Sequence, residues 1–187
     1  MSTLAIHRRV TAEEFLEIEF GSDRRFQLID GFIYAMAGGT PAHARVQGNL
    51  VAFLRGRLRG SGCQAYGPDM ALKTTSYSIR YPDVTVYCGN PGRAENERAK
   101  LLADPRVIFE VLSPSTRGND QSQKLIEYKA VASIDTIVFV DPETETIEIA
   151  QRQAGGIWPA ELARAEDSID LPSLALQVPR EEIFARD

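Results

Sequence analysis

The sequence has few of the residues on which common metal, disulfide and nucleophile sites depend. Of its 187 residues only two are cysteine and two are histidine. Cys63 and Cys88 are far apart and form no CxxC or Cys/His pattern, so the sequence predicts neither a disulfide nor a zinc site. We expect both to be ordinary strand residues. No Ser or Cys lies in a GxSxG elbow, which argues against a hydrolase triad.

Long apolar runs are also missing. The longest are a few residues, such as 136–140, whereas a helix that crosses a bilayer needs about 20. At the N-terminus His7, Arg8 and Arg9 precede an acidic segment, with no apolar stretch of the kind that a signal peptide contains. We therefore expect a cytoplasmic protein without a membrane partner.

A strong charge of one sign is absent, because the net charge is only −5. The charge is uneven, however: residues 1–60 carry eight Lys/Arg and six Asp/Glu, and residues 61–187 carry thirteen and twenty. The acidic balance therefore does not exclude a nucleic acid partner. It predicts that any such binding uses a local basic patch and weakens with salt.

The composition is that of an ordinary globular chain, with 43% hydrophobic and 25% charged residues. A chain of this length predicts one domain over residues 1–187. Thr11 and Glu14 form a capping-box pattern for a short helix over 11–20, and the Asp30-Gly31 pair predicts a β-hairpin. Apolar residues at helical spacing predict a long helix over 41–59.

The second half alternates short strands with one further helix. We predict strands over 63–66, 70–74, 79–88 and 107–112, then a helix over about 120–132 and a hairpin formed by 137–140 and 146–150. Hairpin strands interrupted by two substantial helices favour an α/β class, here an α+β mixed sheet.

Two carboxylates occur where a strand would ordinarily carry apolar or small residues. Asp83 follows Pro82 inside a strand pattern, and because proline cannot donate to a β-ladder this point is an edge or a bend that can face a cleft. Glu110 lies between apolar neighbours in the strand 107–112, where an ionised carboxylate is costly unless a cation compensates it. Two such carboxylates can supply oxygen ligands to Mg²⁺.

A lysine follows these carboxylates on the next predicted helix. Lys124 shares a helix face with Asp120 and Tyr128, four residues before and after it. A lysine beside a metal-bound phosphate orients or deprotonates the attacking water and offsets the charge that develops on phosphorus. The spacing thus joins Asp83, Glu110 and Lys124 into one site hypothesis.

Taken in order, several segments resemble the successive motifs of the Uma-type restriction endonucleases, a bacterial group of the PD-(D/E)XK nuclease superfamily. The segments are QLIDG at 27–31, YPDV at 81–84, FEVLSPST at 109–116, Asp120 with Lys124 and Tyr128, and VFVDP at 138–142. The resemblance runs from about residue 11 to residue 150. It implies a restriction-endonuclease-like core with flanking helices and an N-terminal hairpin.

The resemblance also implies a chemistry for these residues. It implies that Asp83 and Glu110 hold Mg²⁺, with Mn²⁺ as a substitute, that the carbonyl of Val111 adds a ligand, and that DNA is the substrate. Two positions depart from the superfamily pattern. The lysine usually found two residues after the glutamate is Leu112 here, and the Uma-type group uses a helical lysine that maps onto Lys124. Glutamate is usual at the position of Gln27, so here a neutral amide replaces a charged carboxylate.

Each candidate residue also has a plain structural interpretation. Glu110 can be the buried partner of Arg80 or Arg106, and Lys124 can form only a solvated pair with Asp120. Asp83 can simply stabilise a turn.

The remaining candidates are accessory or electrostatic. We treat Gln27, His43 and Asp120 as accessory positions. His43 lies near the start of the long helix, and three interpretations are open for it: a contact to a phosphate, a cap of a hydrogen-bond network, or a structural surface histidine. Arg45, Arg55 and Arg59 on the outer side of that helix follow a nucleic acid backbone or form a solvated face.

Three functions remain open from the sequence. The first is a Mg²⁺-dependent endonuclease that hydrolyses DNA phosphodiester bonds through Asp83, Glu110 and Lys124. The second is a weak or inactive relative that binds nucleic acid or another protein, which Gln27 and the acidic net charge favour. The third is a different phosphodiesterase or nucleotide hydrolase with the same metal pair. Cutting both strands of DNA needs two sites related by symmetry, which favours a homodimer.

Overall fold

The structure is a computed structural model that describes residues 8–21, 24–113 and 119–186, and for residues 119 and 120 the backbone alone. Within these ranges no helix is both long and apolar enough to span a membrane.

The first half of the chain forms two helices and six strands. Thr11 caps the first helix through both bonds of the predicted capping box with Glu14. Asp30 and Gly31 both have positive φ, as the predicted hairpin turn requires. The elements are α1 (Ala12–Glu17), β1 (Phe26–Ile29), β2 (Phe32–Ala35), α2 (Pro41–Arg57), β3 (Gln64–Tyr66), β4 (Leu72–Thr75), β5 (Ser78–Arg80) and β6 (Val84–Tyr87).

The second half adds the rest of the main sheet and a small C-terminal unit. A single 3₁₀ turn, Ala94–Asn96, lies in the long connection after β6. The further elements are β7 (Pro105–Val111), α3 (Asn119–Ala130), β8 (Thr136–Asp141), β9 (Thr146–Gln151), β10 (Ala163–Arg164), β11 (Ser168–Leu171), β12 (Leu176–Pro179) and α4 (Arg180–Phe184), with a second 3₁₀ turn at Pro172–Leu174.

The strands form a mixed α+β architecture, as the sequence predicts. A six-stranded sheet has the order β10-β9-β8-β7-β6-β3, and a four-stranded sheet has the order β2-β1-β5-β4. β11 and β12 pair separately. Among the strands of the described residues β7 and β8 are the one parallel pair, and α3 provides the crossover that a parallel pair needs.

Alternation along β7 assigns its residues to the two faces of the six-stranded sheet. Val107, Phe109 and Val111 join a core cluster that includes the buried side of α2 and Ile183 of α4. Ile108 belongs to a second cluster with Tyr128 of α3. The sheet is therefore covered on both faces, and Glu110 points to the α3 face because it shares the parity of Ile108.

The predicted continuous strand 79–88 is wrong in its extent. The chain leaves one sheet after Arg80 and enters the other at Val84, so β5 and β6 belong to different sheets. Pro82 lies in the connection, where its missing N–H costs no ladder bond. The expected bend at Asp83 is therefore a crossing between two sheets.

The prediction that Cys63 and Cys88 form no disulfide is also wrong. The two cysteines are bonded to each other. β3 and β6 pair in antiparallel register, with Gln64 opposite Tyr87, so the next residues outward on the two strands are Cys63 and Cys88. Cysteine spacing along the chain carries no sign of this pairing, because strand register sets it.

Candidate active site

Asp83 and Glu110 come together because their strands are antiparallel neighbours. Val84 on β6 pairs with Phe109 on β7, so the register places Asp83 opposite Glu110 one step further along. Both residues line one open cavity of about 620 Å³. Lys124 of α3 lines the same cavity. The three residues that the sequence joins into one site thus share a cleft between the two sheets and α3.

Glu110 is nearly enclosed, with 4% of its surface exposed. Lys124 Nζ lies 2.9 Å from Glu110 Oε2, and the Tyr128 hydroxyl donates to Oε1. Because Lys124 and Tyr128 are four residues apart on α3, one helix face presents both donors. Burial raises the pKa of Glu110, Lys124 lowers that pKa, and the nearby Asp83 charge raises it. The plain interpretation in which Arg80 or Arg106 pairs with Glu110 is therefore wrong.

Asp83 is held by donors from two elements. The backbone N–H of Val111 donates to Oδ2 at 2.8 Å, and His43 Nε2 of α2 lies 3.2 Å from Oδ1. The Gln47 amide, one turn further along α2, donates to the Asp83 carbonyl at 3.0 Å. The hydrogen bond to Asp83 raises the pKa of His43 against the opposing effect of burial. His43 is therefore in contact with the site, and Gln47 is a contact that sequence reasoning missed.

Gln27 lines the cavity but is engaged by a buried ionic network. Its Oε1 accepts a hydrogen bond from Arg80 Nη1 at 3.2 Å. Arg80 is fully buried and pairs with Glu127 of α3, with Nε and Nη2 at 2.8 and 2.6 Å from the two carboxylate oxygens. Thr74 of β4 also donates to Glu127. This network joins three strands of the four-stranded sheet to α3, and no sequence motif indicated it.

The other sequence-predicted residues lie apart from the cleft or outside the described side chains. Asp120 belongs to α3, but its side chain lies outside the described residues. Arg55 donates to the Ala65 carbonyl and lines, with Arg59, a different cavity near the end of α2. His43 and Arg55 are twelve residues apart on α2, about 18 Å along the helix axis.

Basic side chains that the sequence did not single out lie at the cleft itself. Arg24 and Arg25, just before β1, line the cavity that contains Asp83 and Glu110. Arg45 of α2 is half-buried and is not among the residues that line this cavity. The place of Arg24 and Arg25 at the cleft depends on how the β1–β2 hairpin folds against the connection from β5 to β6. The sequence alone does not reveal that arrangement.

The oxygen donors at this site fit a divalent cation of the magnesium type. Within the described residues there is no group of three or more His, Cys, Asp and Glu that could hold a metal, so an all-protein cage is not formed there. Mg²⁺ does not need one, since it is usually bound through one or two carboxylates and keeps several waters. The two facing carboxylates, with Val111 on the same cavity wall, match that requirement.

A mixed sheet that brings two carboxylates and a lysine into one cleft defines a restriction-endonuclease-like fold. The chain matches the model of the family Uma2, described as "Putative restriction endonuclease", over residues 12–180. The chain therefore belongs to that family.

Known proteins similar to this chain agree with that assignment in fold. A crystal structure of "a putative nuclease belonging to DUF820" from Anabaena variabilis superposes with a TM-score of 0.73, covering 94% of this chain and 98% of that one at 20% identity. Two uncharacterized proteins of Synechocystis are 26% and 28% identical, over 94% and 84% of this chain and 92% and 89% of their own lengths.

Proposed function

We propose that this protein is a Mg²⁺-dependent endonuclease that hydrolyses phosphodiester bonds of DNA. The observation that carries the proposal is the placement of Glu110, a buried carboxylate opposite Asp83 and within 2.9 Å of Lys124, on the wall of an open cavity. A buried carboxylate with a raised pKa is costly to ionise, and such costs concentrate at functional sites.

In this proposal Asp83, Glu110 and the carbonyl of Val111 hold the ion. Mn²⁺ is expected to substitute because it accepts the same oxygen ligands. When bound, the cation polarises a phosphoryl oxygen and lowers the pKa of water. The negative charges of Asp83 and Glu110, which repel each other in the metal-free protein, are then compensated.

Lys124 acts on the reacting groups in this proposal. Its ammonium is held at the cleft by Glu110 and only 15% of the Lys124 side chain is exposed, so its charge is less screened than that of an exposed lysine. There the ammonium orients the attacking water and offsets the charge that develops on phosphorus, whereas deprotonation of that water requires the neutral amine form of Lys124.

His43 and Gln47 are positioning residues in this proposal. They contact Asp83 from α2, whereas Val111 contacts it from β7, so the carboxylate is restrained from both sides. Gln27 acts more remotely through Arg80, and we place it as an accessory position. Asp120 remains an accessory candidate on the sequence pattern alone.

Relaxation of a supercoiled plasmid tests this function. Wild-type protein with Mg²⁺ or Mn²⁺ should nick or linearise the plasmid, and EDTA should stop the reaction. Glu110→Gln should be inactive. Lys129→Ala provides the matched control, because Lys129 is on the same helix but lies over the Trp158 ring, away from the cleft. Absence of cleavage of both plasmid and single-stranded DNA by the folded wild-type protein with either metal would contradict the proposal.

A second function rests on a specific feature of Gln27. The amide brings no charge to the cleft and is bonded to Arg80, so the protein lacks a carboxylate at this position. A weak or inactive nuclease-fold protein would keep the cleft and bind nucleic acid or another protein through it. Binding of DNA in EDTA without cleavage in Mg²⁺ would favour this second function.

We also propose a homodimer, formed through the outer edge of the four-stranded sheet. β2 is the end strand of that sheet, and Phe32, Ile33 and Tyr34 on it are 49%, 38% and 49% exposed. An exposed apolar edge strand is a template for pairing with another chain. Light scattering coupled to gel filtration should give a dimer mass for wild-type protein and a monomer mass for Ile33→Lys.

A cytoplasmic location belongs to the same proposal, because that compartment gives access to DNA. The Cys63–Cys88 disulfide is then unusual, since cytoplasmic thiols are normally kept reduced. Cell fractionation combined with alkylation of free thiols tests both points. Recovery of the protein outside the cytoplasm would contradict the location.

A further inference from the structure

A second cavity, of about 350 Å³, lies beside the catalytic cleft. Its lining includes Phe15, Phe20, Phe26 and Tyr81. The Phe20 and Phe26 rings are stacked, with centroids 4.3 Å apart and planes at 17°. The Phe15 ring is tilted against Phe20 at 5.5 Å. The volume is at the lower end of the range of about 300 to 1,000 Å³ that is typical of small-ligand pockets, and four of the twelve lining residues are aromatic.

This aromatic cavity adjoins the catalytic cleft. Arg24, Arg25, Met36 and Tyr81 line both. Tyr81 is also two residues from Asp83, so their Cα atoms are at most about 7 Å apart. That separation is comparable to the span of one nucleotide from its phosphate to its base.

The mouth of the aromatic cavity carries positive charge. Arg25 donates to Asp69 at 2.6 Å, and Lys100 to Glu17 at 2.9 Å. Arg24 is exposed and forms no ion pair or hydrogen bond with any other residue that the structure describes. An arginine at the junction of the two cavities suits a phosphate group there.

We propose that the aromatic cavity receives an unpaired nucleobase of the nucleotide next to the phosphate that is cleaved. The substrate is then DNA with unpaired bases, such as a single strand or a frayed end, in preference to closed duplex. This inference rests on the proposed nuclease function and specifies its substrate. Aromatic rings that stack bases, combined with cations along the backbone, are the means by which proteins hold single strands.

The shape of the site favours this occupant over closed duplex. A base inside a duplex is stacked on both sides and must be extruded before it can enter a pocket, at a cost of a few kcal/mol. An unpaired base avoids that cost. A purely apolar small molecule would pack against the aromatic rings. It would make no use of Arg24 or of the neighbouring cleft that contains the carboxylates.

A double-mutant cycle between the protein and the DNA tests the inference. Calorimetry in EDTA at low salt compares binding of hexathymidylate with binding of an abasic hexamer that carries the same phosphates. The carboxylates repel both ligands equally, so the ratio of the two affinities reports the contribution of the bases. Wild-type protein should prefer the hexathymidylate by roughly 5- to 100-fold, as expected for base stacking on an aromatic residue.

Variants of the aromatic cavity complete the cycle. Tyr81→Ala should reduce the ratio to near one, Tyr81→Phe should keep it, and Phe20→Ala should lower it. Tyr77→Ala is the matched control, because Tyr77 is exposed and lines neither cavity. A ratio near one in wild-type protein, a ratio unchanged in Tyr81→Ala, or tighter binding of a blunt duplex than of its single strand would each overturn the inference.

Failure of this inference and failure of the proposed function give different results. Cleavage of plasmid in Mg²⁺ with a wild-type ratio near one would keep the nuclease and remove the base pocket. A large ratio that depends on Tyr81, without cleavage of either plasmid or single-stranded DNA in Mg²⁺, would keep the base pocket and remove the nuclease.

Discussion

The Lys124 ammonium lies 2.9 Å from a carboxylate oxygen of Glu110, although the two residues are on different elements and fourteen residues apart. In PD-(D/E)XK nucleases the lysine is commonly two residues after the glutamate, and that position is Leu112 here. Leu112 is buried and packs in the cluster that contains Tyr128. The strand thus carries an apolar side chain where the lysine is commonly found. The lysine that contacts Glu110 comes from α3 instead.

Replacement of this lysine should separate turnover from metal binding. Lys124→Ala should lower the single-turnover cleavage rate by about a hundredfold to ten-thousandfold, the usual contribution of a general base. It should leave Mn²⁺ bound, because the proposed ligands are oxygen atoms. Calorimetric titration of Mn²⁺ measures the binding, and Lys129→Ala should match wild type in both assays. Loss of metal affinity in Lys124→Ala would give the lysine a structural role instead.

Tyr128 should contribute to stability through Glu110. Tyr128→Phe removes a buried hydroxyl that donates to a carboxylate, and hydrogen bonds to charged groups contribute about 1.5 to 3 kcal/mol. Urea unfolding in EDTA should show a loss of that order. Tyr66→Phe is the control, because the Tyr66 hydroxyl donates to the neutral Gln64 amide, at 3.3 Å. Equal losses in the free energy of unfolding for the two variants would show that the hydrogen bond from Tyr128 to Glu110 contributes no more than a neutral one.

His43 should titrate above its ordinary range in the metal-free protein. The bond to Asp83 raises the pKa of His43, so Asp83→Asn should lower it. Because the folded-state pKa is raised, the imidazolium contributes stability fully below the unfolded pKa of about 6.5, and this contribution is lost as pH rises through the folded value. Imidazole NMR titration in EDTA, in a His7→Ala background that leaves one histidine, measures the shift. A pKa that is unchanged by Asp83→Asn would contradict the pairing.

The side chain at position 27 should influence Mg²⁺ affinity only when it is replaced by a charged one. Gln27→Glu adds a carboxylate near the cleft, but Arg80 beside it neutralises part of that charge, so the gain in Mg²⁺ affinity should be about tenfold at most. Gln27→Ala should change the affinity little. Titration of Mg²⁺ into the three proteins compares them directly. Identical affinities would place Gln27 outside the metal environment.

Two pairs of arginines allow the DNA-binding surface to be located. Arg24 and Arg25 line the cleft, whereas Arg55 and Arg59 line a separate cavity. If Arg24 and Arg25 each contact a phosphate, replacing both by alanine should reduce the log-log salt slope of duplex binding by about 1.8. The matched Arg55→Ala, Arg59→Ala protein tests the basic face predicted from the sequence. A larger loss in the second protein would move the DNA to the outer side of α2.

Local structure in this protein follows closely from the sequence. The capping box at Thr11, the Asp30-Gly31 turn and the buried stripe of α2 depend on neighbours within a few residues, and the structure has each of them. Lys124 and Tyr128 also lie on one face of α3, as their spacing predicts. Interactions between residues three or four apart are fixed once the helix forms.

What only the tertiary structure decided is every contact that strand register and sheet packing create. The Cys63–Cys88 disulfide depends on the pairing of β3 with β6, and the opposition of Asp83 and Glu110 depends on the pairing of β6 with β7. The sequence alone determined which residue types carry the chemistry and on which local element each one lies. It could not determine that the chain changes sheets between Arg80 and Val84 and so opens the cleft, because the partners of a strand are chosen by packing across the whole chain.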